Sequence, residues 1–159
     1  MIYQYYGDIF DSPPSYSLGH CISADARFCK GIALQFVKHF PQLQQIRDGR
    51  NLVGNTRPVF VSGRFIYNLI TKTFYWGKPY ISDLYASLMS MRAHAESNRV
   101  GDISLPKIGC GCDGFNFGRD VLPILSSVFA HSSVNVHVFT ESSSIPPRYV
   151  RIMLGGYTY

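Results

Sequence analysis

Ile103-Ser-Leu-Pro-Lys-Ile-Gly-Cys-Gly-Cys-Asp113 reads as a buried strand running into a glycine loop that closes on a carboxylate. Ile103–Ile108 is the strand, expected near the centre of its sheet, and Gly109–Gly118 is the loop. After it, Leu122, Leu125, Val128 and Phe129 recur at helical spacing, so Val121–Phe129 is predicted to be a helix. Strand, turn and helix in that order are the repeating unit of a layered α/β domain.

The same alternation extends outward in both directions. Ile2–Tyr6 and Tyr16–Ile22 read as strands, and Asp11-Ser-Pro-Pro14 as a turn between them. Phe28–Phe40 is predicted as a helix on Ile32, Phe36 and Phe40, ended by Pro41, with Leu43–Arg47 as a second short helix. Asp48–Arg57 is a polar loop. Val59–Val61 and Phe65–Ile70 are strands joined by Ser62-Gly63. Thr71–Lys78 is a loop carrying the single tryptophan. Ile81–Asn98 is the clearest helix, with Leu84, Leu88, Met91 and Ala95 on one face, and Val134–Phe139 is the last strand. The expected fold is α/β with a largely parallel central sheet. Ligands of such sheets sit beyond the carboxyl ends of the strands. In the tail, 142–147 reads as a linker, and 148–159 as an edge strand or a cover over a pocket.

Composition bounds the rest. The chain has 159 residues, 46% of them hydrophobic and 16% charged, which suits one domain with a substantial core. A net charge of +5 favours anionic partners. The basic residues do not cluster, and no helix-turn-helix or zinc-finger spacing occurs. The start, Met-Ile-Tyr-Gln, has neither a basic nor an apolar leader segment, and no apolar run reaches membrane-spanning length. A cytoplasmic protein is expected, the nucleus remaining open, with reduced Cys21, Cys29, Cys110 and Cys112.

Two segments carry the chemistry. Leu69-Ile-Thr-Lys72 ends a strand on an amine, and Ile108-Gly-Cys-Gly-Cys-Asp113 ends one on a carboxylate. Both belong at the ligand edge of the sheet. Glycines let the backbone approach an anion closely, so the loop reads either as a phosphate cradle or as an ordinary tight turn. It matches neither the Walker A nor the dinucleotide fingerprint. A desolvated Lys72 can attack an electrophilic sugar carbon, and Asp113 beside it can act as general acid and base. Read without the other, each is a solvated strand-end lysine or a turn aspartate. Cys110 and Cys112 are readable as zinc ligands, as nucleophiles with His20 as base, or as small thiols packing the loop; the last fits best. Asp8 either accepts a hydrogen bond from an exocyclic amine or makes an Asx turn. Ser23 and Asp25 either contact a ribose or cap the next helix. Phe115 and Phe117 either stack on a ring or pack beneath it.

Taken together, Gly7-Asp8-Ile-Phe10, His20-Cys-Ile-Ser23, Gly31-Ile-Ala33, Leu69-Ile-Thr-Lys72 and Ile108-Gly-Cys-Gly-Cys-Asp113 resemble a macrodomain. More narrowly they resemble the terminal ADP-ribose protein glycohydrolase branch, related to antitoxins that reverse DNA ADP-ribosylation. The motifs stand in the family's order from about residue 2 to residue 140. The resemblance implies a three-layer α/β/α sandwich with a mixed, largely parallel sheet over residues 1–140, and an extension, 141–159, packed on or near it. It implies a monomeric ADP-ribose-binding hydrolase that needs no cofactor, metal or obligate protein partner. Its substrates would be ADP-ribosylated protein or DNA. It places Asp8 at adenine and the Gly31 and Gly109-Cys110-Gly111 segments around the diphosphate and distal ribose. Ile9, Ser23, Ile32, Ala33, Ile108, Cys112 and Phe115 are the further ligand-binding candidates. Lys72 becomes the nucleophile on the distal ribose anomeric carbon, and Asp113 the acid/base. The rivals are a non-catalytic ADP-ribose reader, an enzyme processing ADP-ribose phosphate or acetylated ADP-ribose, and a nucleic-acid-binding protein. The chain departs from close relatives at Phe28-Cys29-Lys30, where a small glycine-rich turn is usual, at Gly114-Phe-Asn-Phe117, and in the tail after Thr140.

Overall fold

The computed structural model describes residues 1–111 and 113–141, and the backbone of 152 and 153. Most of the expected tail, and Cys112, lie outside the described residues.

Among the described residues, seven strands form one sheet: β1 (Ile2–Tyr6), β2 (Ser17–Ser23), β3 (Thr56–Val61), β4 (Arg64–Lys72), β5 (Asp102–Pro106), β6 (Asn135–Thr140) and β7 (Ile152–Met153), in the spatial order β3-β4-β2-β5-β6-β1-β7. The five inner strands are mutually parallel. The two outer ones, β3 and β7, run antiparallel to β4 and β1. Helix α1 (Gly31–His39) lies on one face, and α2 (Ile81–Ser97) with α3 (Leu122–Phe129) on the other. The sandwich is therefore three layers with a mixed sheet, as the family resemblance implies.

Strand periodicity explains why both faces are dry. Along β4, Ile66 and Ile70 enter the α1 side, while Tyr67 and Leu69 enter the α2/α3 side. β2 alternates likewise: Leu18 and Ile22 meet α1, and a Cβ at Gly19 would meet Met91 and Leu105 on the other side. His20 is among the polar residues buried on these strands, with Ser17, Ser23, Asn68 and Thr71. It is fully buried, stacked on Phe36 at 3.9 Å, with Nε2 2.6 Å from Asn68 Oδ1. Burial lowers its pKa to about 4, with the Asn68 bond working the other way.

Several boundaries differ from the reading of the sequence. α1 begins at Gly31, three residues later than expected, because Phe28 adopts left-handed backbone (φ 51°) and Lys30 extended backbone (φ −158°), neither of which continues a helix. β3 starts at Thr56, inside the expected loop. β5 ends at Pro106, so Lys107 and Ile108 already belong to the turn. A wider, π-type turn over Phe117–Val121 precedes α3. The short Leu43–Arg47 helix is a 3-10 segment over Pro41–Ile46, and another, Ile9–Asp11, follows β1. No helix among the described residues is long and apolar enough to cross a membrane.

Candidate active site

Parallel strands deliver their carboxyl ends to one edge, and a cavity of about 320 Å³ opens there. β2 contributes Cys21, Ile22 and Ser23. The β2–α1 loop and the start of α1 contribute Phe28 to Ala33. β4 and its following loop contribute Thr71, Lys72 and Tyr75, and the β5–α3 loop contributes Pro106 to Gly109, Gly111 and Asp113.

At its floor, Lys72 Nζ donates to Asp113 Oδ1 at 2.8 Å; the two side chains are only 13% and 14% exposed. A local irregularity places the lysine. β2 and β4 shift register between Ile22 and Ser23, so that Ile22 pairs with Ile70 but Ser23 pairs with Lys72, and Thr71 is an extra residue. The Ala24 amide then donates to the Lys72 carbonyl at 2.8 Å, fixing the strand end. Cys21 lies beside the pair. Burial, and next the Asp113 carboxylate, push its thiol upward, with Lys72 opposing, so it stays protonated.

Main-chain groups form two further walls. α1 begins at the cavity, and its first residues Gly31, Ile32 and Ala33 carry helix N-terminal amides that suit an anion. Gly31 sits at φ +64°, a conformation that favours glycine. The opposite wall is the β5–α3 loop. Gly109 has φ +73°, and a Cβ there would stand 2.7 Å from Phe115 Cδ2. The Phe115 amide donates back to the Gly109 carbonyl at 2.8 Å, and Gly114 to Gly111 at 3.1 Å. Phe115 thus packs beneath the loop and does not line the cavity. Phe117 lies under Lys107, whose Nζ is 5.5 Å from its ring.

Cys110 also turns away from the cavity. Its thiol donates to the Ile108 carbonyl at 3.3 Å, and burial raises its pKa. The pairing of a loop cysteine with His20 as base is corrected for Cys110: His20 faces α1 while Cys110 packs with the α2/α3 core. Among the described residues no cluster of three His, Cys, Asp or Glu could hold a metal.

Asp8 is exposed and caps the Ile9–Asp11 turn, its Oδ1 accepting from Phe10 N at 2.9 Å; Ile9 is buried in the α1-side core. Neither lines this cavity. Ser23 lines it, and its hydroxyl donates to Asp25. Asp25 caps no helix; its other oxygen accepts from Tyr75 N at 3.2 Å. Tyr75, which sequence reasoning missed, is held over the cavity from the β4–α2 loop, with the Arg27 guanidinium 5.5 Å above its ring. Nothing local in Thr71–Lys78 marks which of its aromatics turns inward.

No protein-family model matches the chain. A Homo sapiens protein named ADP-ribose glycohydrolase OARD1 is 37% identical over 134 residues, 84% of this chain and 88% of that protein. The Bos taurus protein of the same name is 38% identical over the same shares. Among solved structures, the macrodomain of Mycobacterium tuberculosis DarG superposes with a TM-score of 0.80 at 22% identity, covering 89% of this chain and 99% of that one. Thermosipho africanus DarTG, solved in complex with ADP-ribose, superposes with a TM-score of 0.75 at 14% identity, covering 90% of this chain and 42% of that one. The shared sandwich, and identity to the glycohydrolases along most of the sequence, establish that the chain belongs to the macrodomain family, in its ADP-ribose glycohydrolase branch.

Proposed function

We propose that this macrodomain binds ADP-ribose and hydrolyses it from a modified macromolecule, with Lys72 as nucleophile and Asp113 as acid and base. The observation that carries this reading is the 2.8 Å contact between the two groups on the cavity floor. The identity to proteins named ADP-ribose glycohydrolase supports the hydrolase activity. The α1 N-terminal amides and the glycine loop suit the diphosphate. The acceptor is an acidic protein side chain or a DNA base.

The ion pair supplies its own proton transfer. A proton on Lys72 passes along the hydrogen bond to Asp113, leaving a neutral amine. The nitrogen lone pair forms a bond to the anomeric carbon of the distal ribose as the bond from that carbon to the acceptor breaks. The acceptor leaves with that electron pair and takes the proton from Asp113. The adduct nitrogen keeps its two protons and its positive charge, and the regenerated carboxylate draws a proton from a water whose oxygen bonds to the same carbon as the carbon–nitrogen bond breaks. The bonding pair returns to nitrogen, freeing ADP-ribose and a neutral amine, and the proton on Asp113 passes back to Lys72 to restore the ion pair. General acid–base assistance alone contributes about 10²–10⁴-fold, and covalent catalysis adds to it.

The test is a release assay on ADP-ribosylated protein and ADP-ribosylated DNA with wild type, Lys72→Ala and Asp113→Ala. Each variant is expected to lose at least about 10³-fold in turnover, while calorimetry retains ADP-ribose binding. Full activity in both variants would remove the mechanism.

A further inference from the structure

The loop after Lys72 divides its aromatics between two environments. Tyr75 turns into the cavity, while Phe74 and Trp76 on either side of it are 49% and 69% exposed. These two rings stack on each other, centroids 5.2 Å apart and planes within 6°. The arrangement is built. The Gly77 amide closes a turn on the Phe74 carbonyl at 3.0 Å, and Asp25 grips the Tyr75 amide at the turn's centre. Burial would favour the opposite choice, yet a coplanar pair of large rings stays in water.

Resting on the hydrolase reading, we propose that the Phe74–Trp76 stack is an acceptor subsite of the same centre. Its occupant is an unpaired base of single-stranded nucleic acid, next to the nucleotide that carries ADP-ribose. Three observations converge. Phe74 follows Lys72 by two residues, a backbone reach of at most about 7 Å, and its neighbour Tyr75 lines the cavity, so the stack stands beside the site of the scissile bond. The outer face of a coplanar stack suits a planar base, and base–aromatic stacking tolerates any sequence. The charge suits a polyphosphate: Arg27 covers Tyr75 and offsets Asp25, 4.0 Å from its guanidinium, Lys30 stands on the cavity rim, the loop itself has no carboxylate between Thr73 and Ser82, and the chain carries +5. An acidic protein side chain would draw nothing from two uncharged rings.

The experiment compares wild type with Phe74→Ala/Trp76→Ala on an ADP-ribosylated single-stranded oligonucleotide and on a peptide ADP-ribosylated at glutamate. The oligonucleotide kcat/KM is expected to fall about ten-fold or more, by a larger factor than the peptide value. Calorimetry is expected to hold ADP-ribose affinity within about two-fold, and Trp76→Tyr, which keeps a ring, to restore most of the loss. Equal losses on both substrates, or a larger loss on the peptide, would overturn the subsite; the latter would mark a peptide-binding surface. If wild type releases ADP-ribose from neither substrate, the hydrolase reading fails separately. The subsite is then decided by the emission of Trp76, the single tryptophan. An unmodified single-stranded oligonucleotide is expected to quench it saturably, with Phe74→Ala weakening the binding about ten-fold, and absence of quenching sinks the proposal.

Discussion

Two loops meet over the Lys72–Asp113 pair, and they are built on opposite principles. The β5–α3 loop shapes its wall with backbone: glycines, carbonyl-to-amide bonds, and Phe115 tucked beneath. The β4–α2 loop shapes its wall with side chains: Tyr75 inward, Phe74 and Trp76 outward, held by one carboxylate of a neighbouring loop. A backbone wall suits the part of a ligand that never changes, because side-chain drift leaves its amides in place. A side-chain wall suits the part that differs between substrates.

The largest expected effect lies in the sheet from which both loops spring, on the strand β2. His20 is held near pKa 4 when folded, against 6.5 for an ordinary histidine. The unfolded chain therefore takes up a proton first as pH falls, and the folded state loses stability between about pH 6.5 and 4, by about 3 kcal/mol in all. Urea titrations across that range are expected to show the loss, with the slope flattened in His20→Gln. If glycine-loop exchange rises at acid pH while global stability holds, the two loops do not share one rigid base.

Gly109→Ala tests the backbone wall. It forces a Cβ into positive-φ backbone and against Phe115, so about 2 kcal/mol of strain is expected, read as roughly 30-fold weaker ADP-ribose binding by calorimetry. Adding Phe115→Ala is expected to recover only the steric part. A variant with wild-type affinity would show that this wall does not hold the nucleotide. Asp25→Ala tests the side-chain wall and is expected to do less. Losing the bond to Tyr75 N is worth about 1 kcal/mol, a rise of roughly five-fold in KM for a macromolecular substrate with little change in free ADP-ribose affinity. Equal losses in both measurements would erase the distinction between the loops.

Much of this was readable in the chain and some was not, for physical reasons. Apolar alternation and helical spacing exposed the β–α order, because those periods follow from burial on both faces of the sheet. The meeting of Lys72 and Asp113 was legible because parallel strands bring their carboxyl ends to one edge. The late start of α1 was not, since the left-handed backbone at Phe28 has no glycine to announce it. Nor was the Ser23–Asp25–Tyr75 link, which joins groups fifty residues apart through one amide. The burial of Phe115 under Gly109 and the outward stack of Phe74 on Trp76 come from tertiary neighbours that local pattern does not record.

The single surplus residue in β4 has a consequence of parity. Paired residues on parallel strands face the same way, and Ser23, opposite Lys72, shares the side of Gly19 and Cys21. Strict alternation would have set Thr71 against Ser23 and swung the lysine round toward α1, away from its carboxylate. Deleting Thr71 would remove the surplus and still set the lysine against Ser23, whereas a β4 that kept Thr71 and lost the bulge would turn the lysine away and disarm the centre: here reactivity is a matter of odd and even.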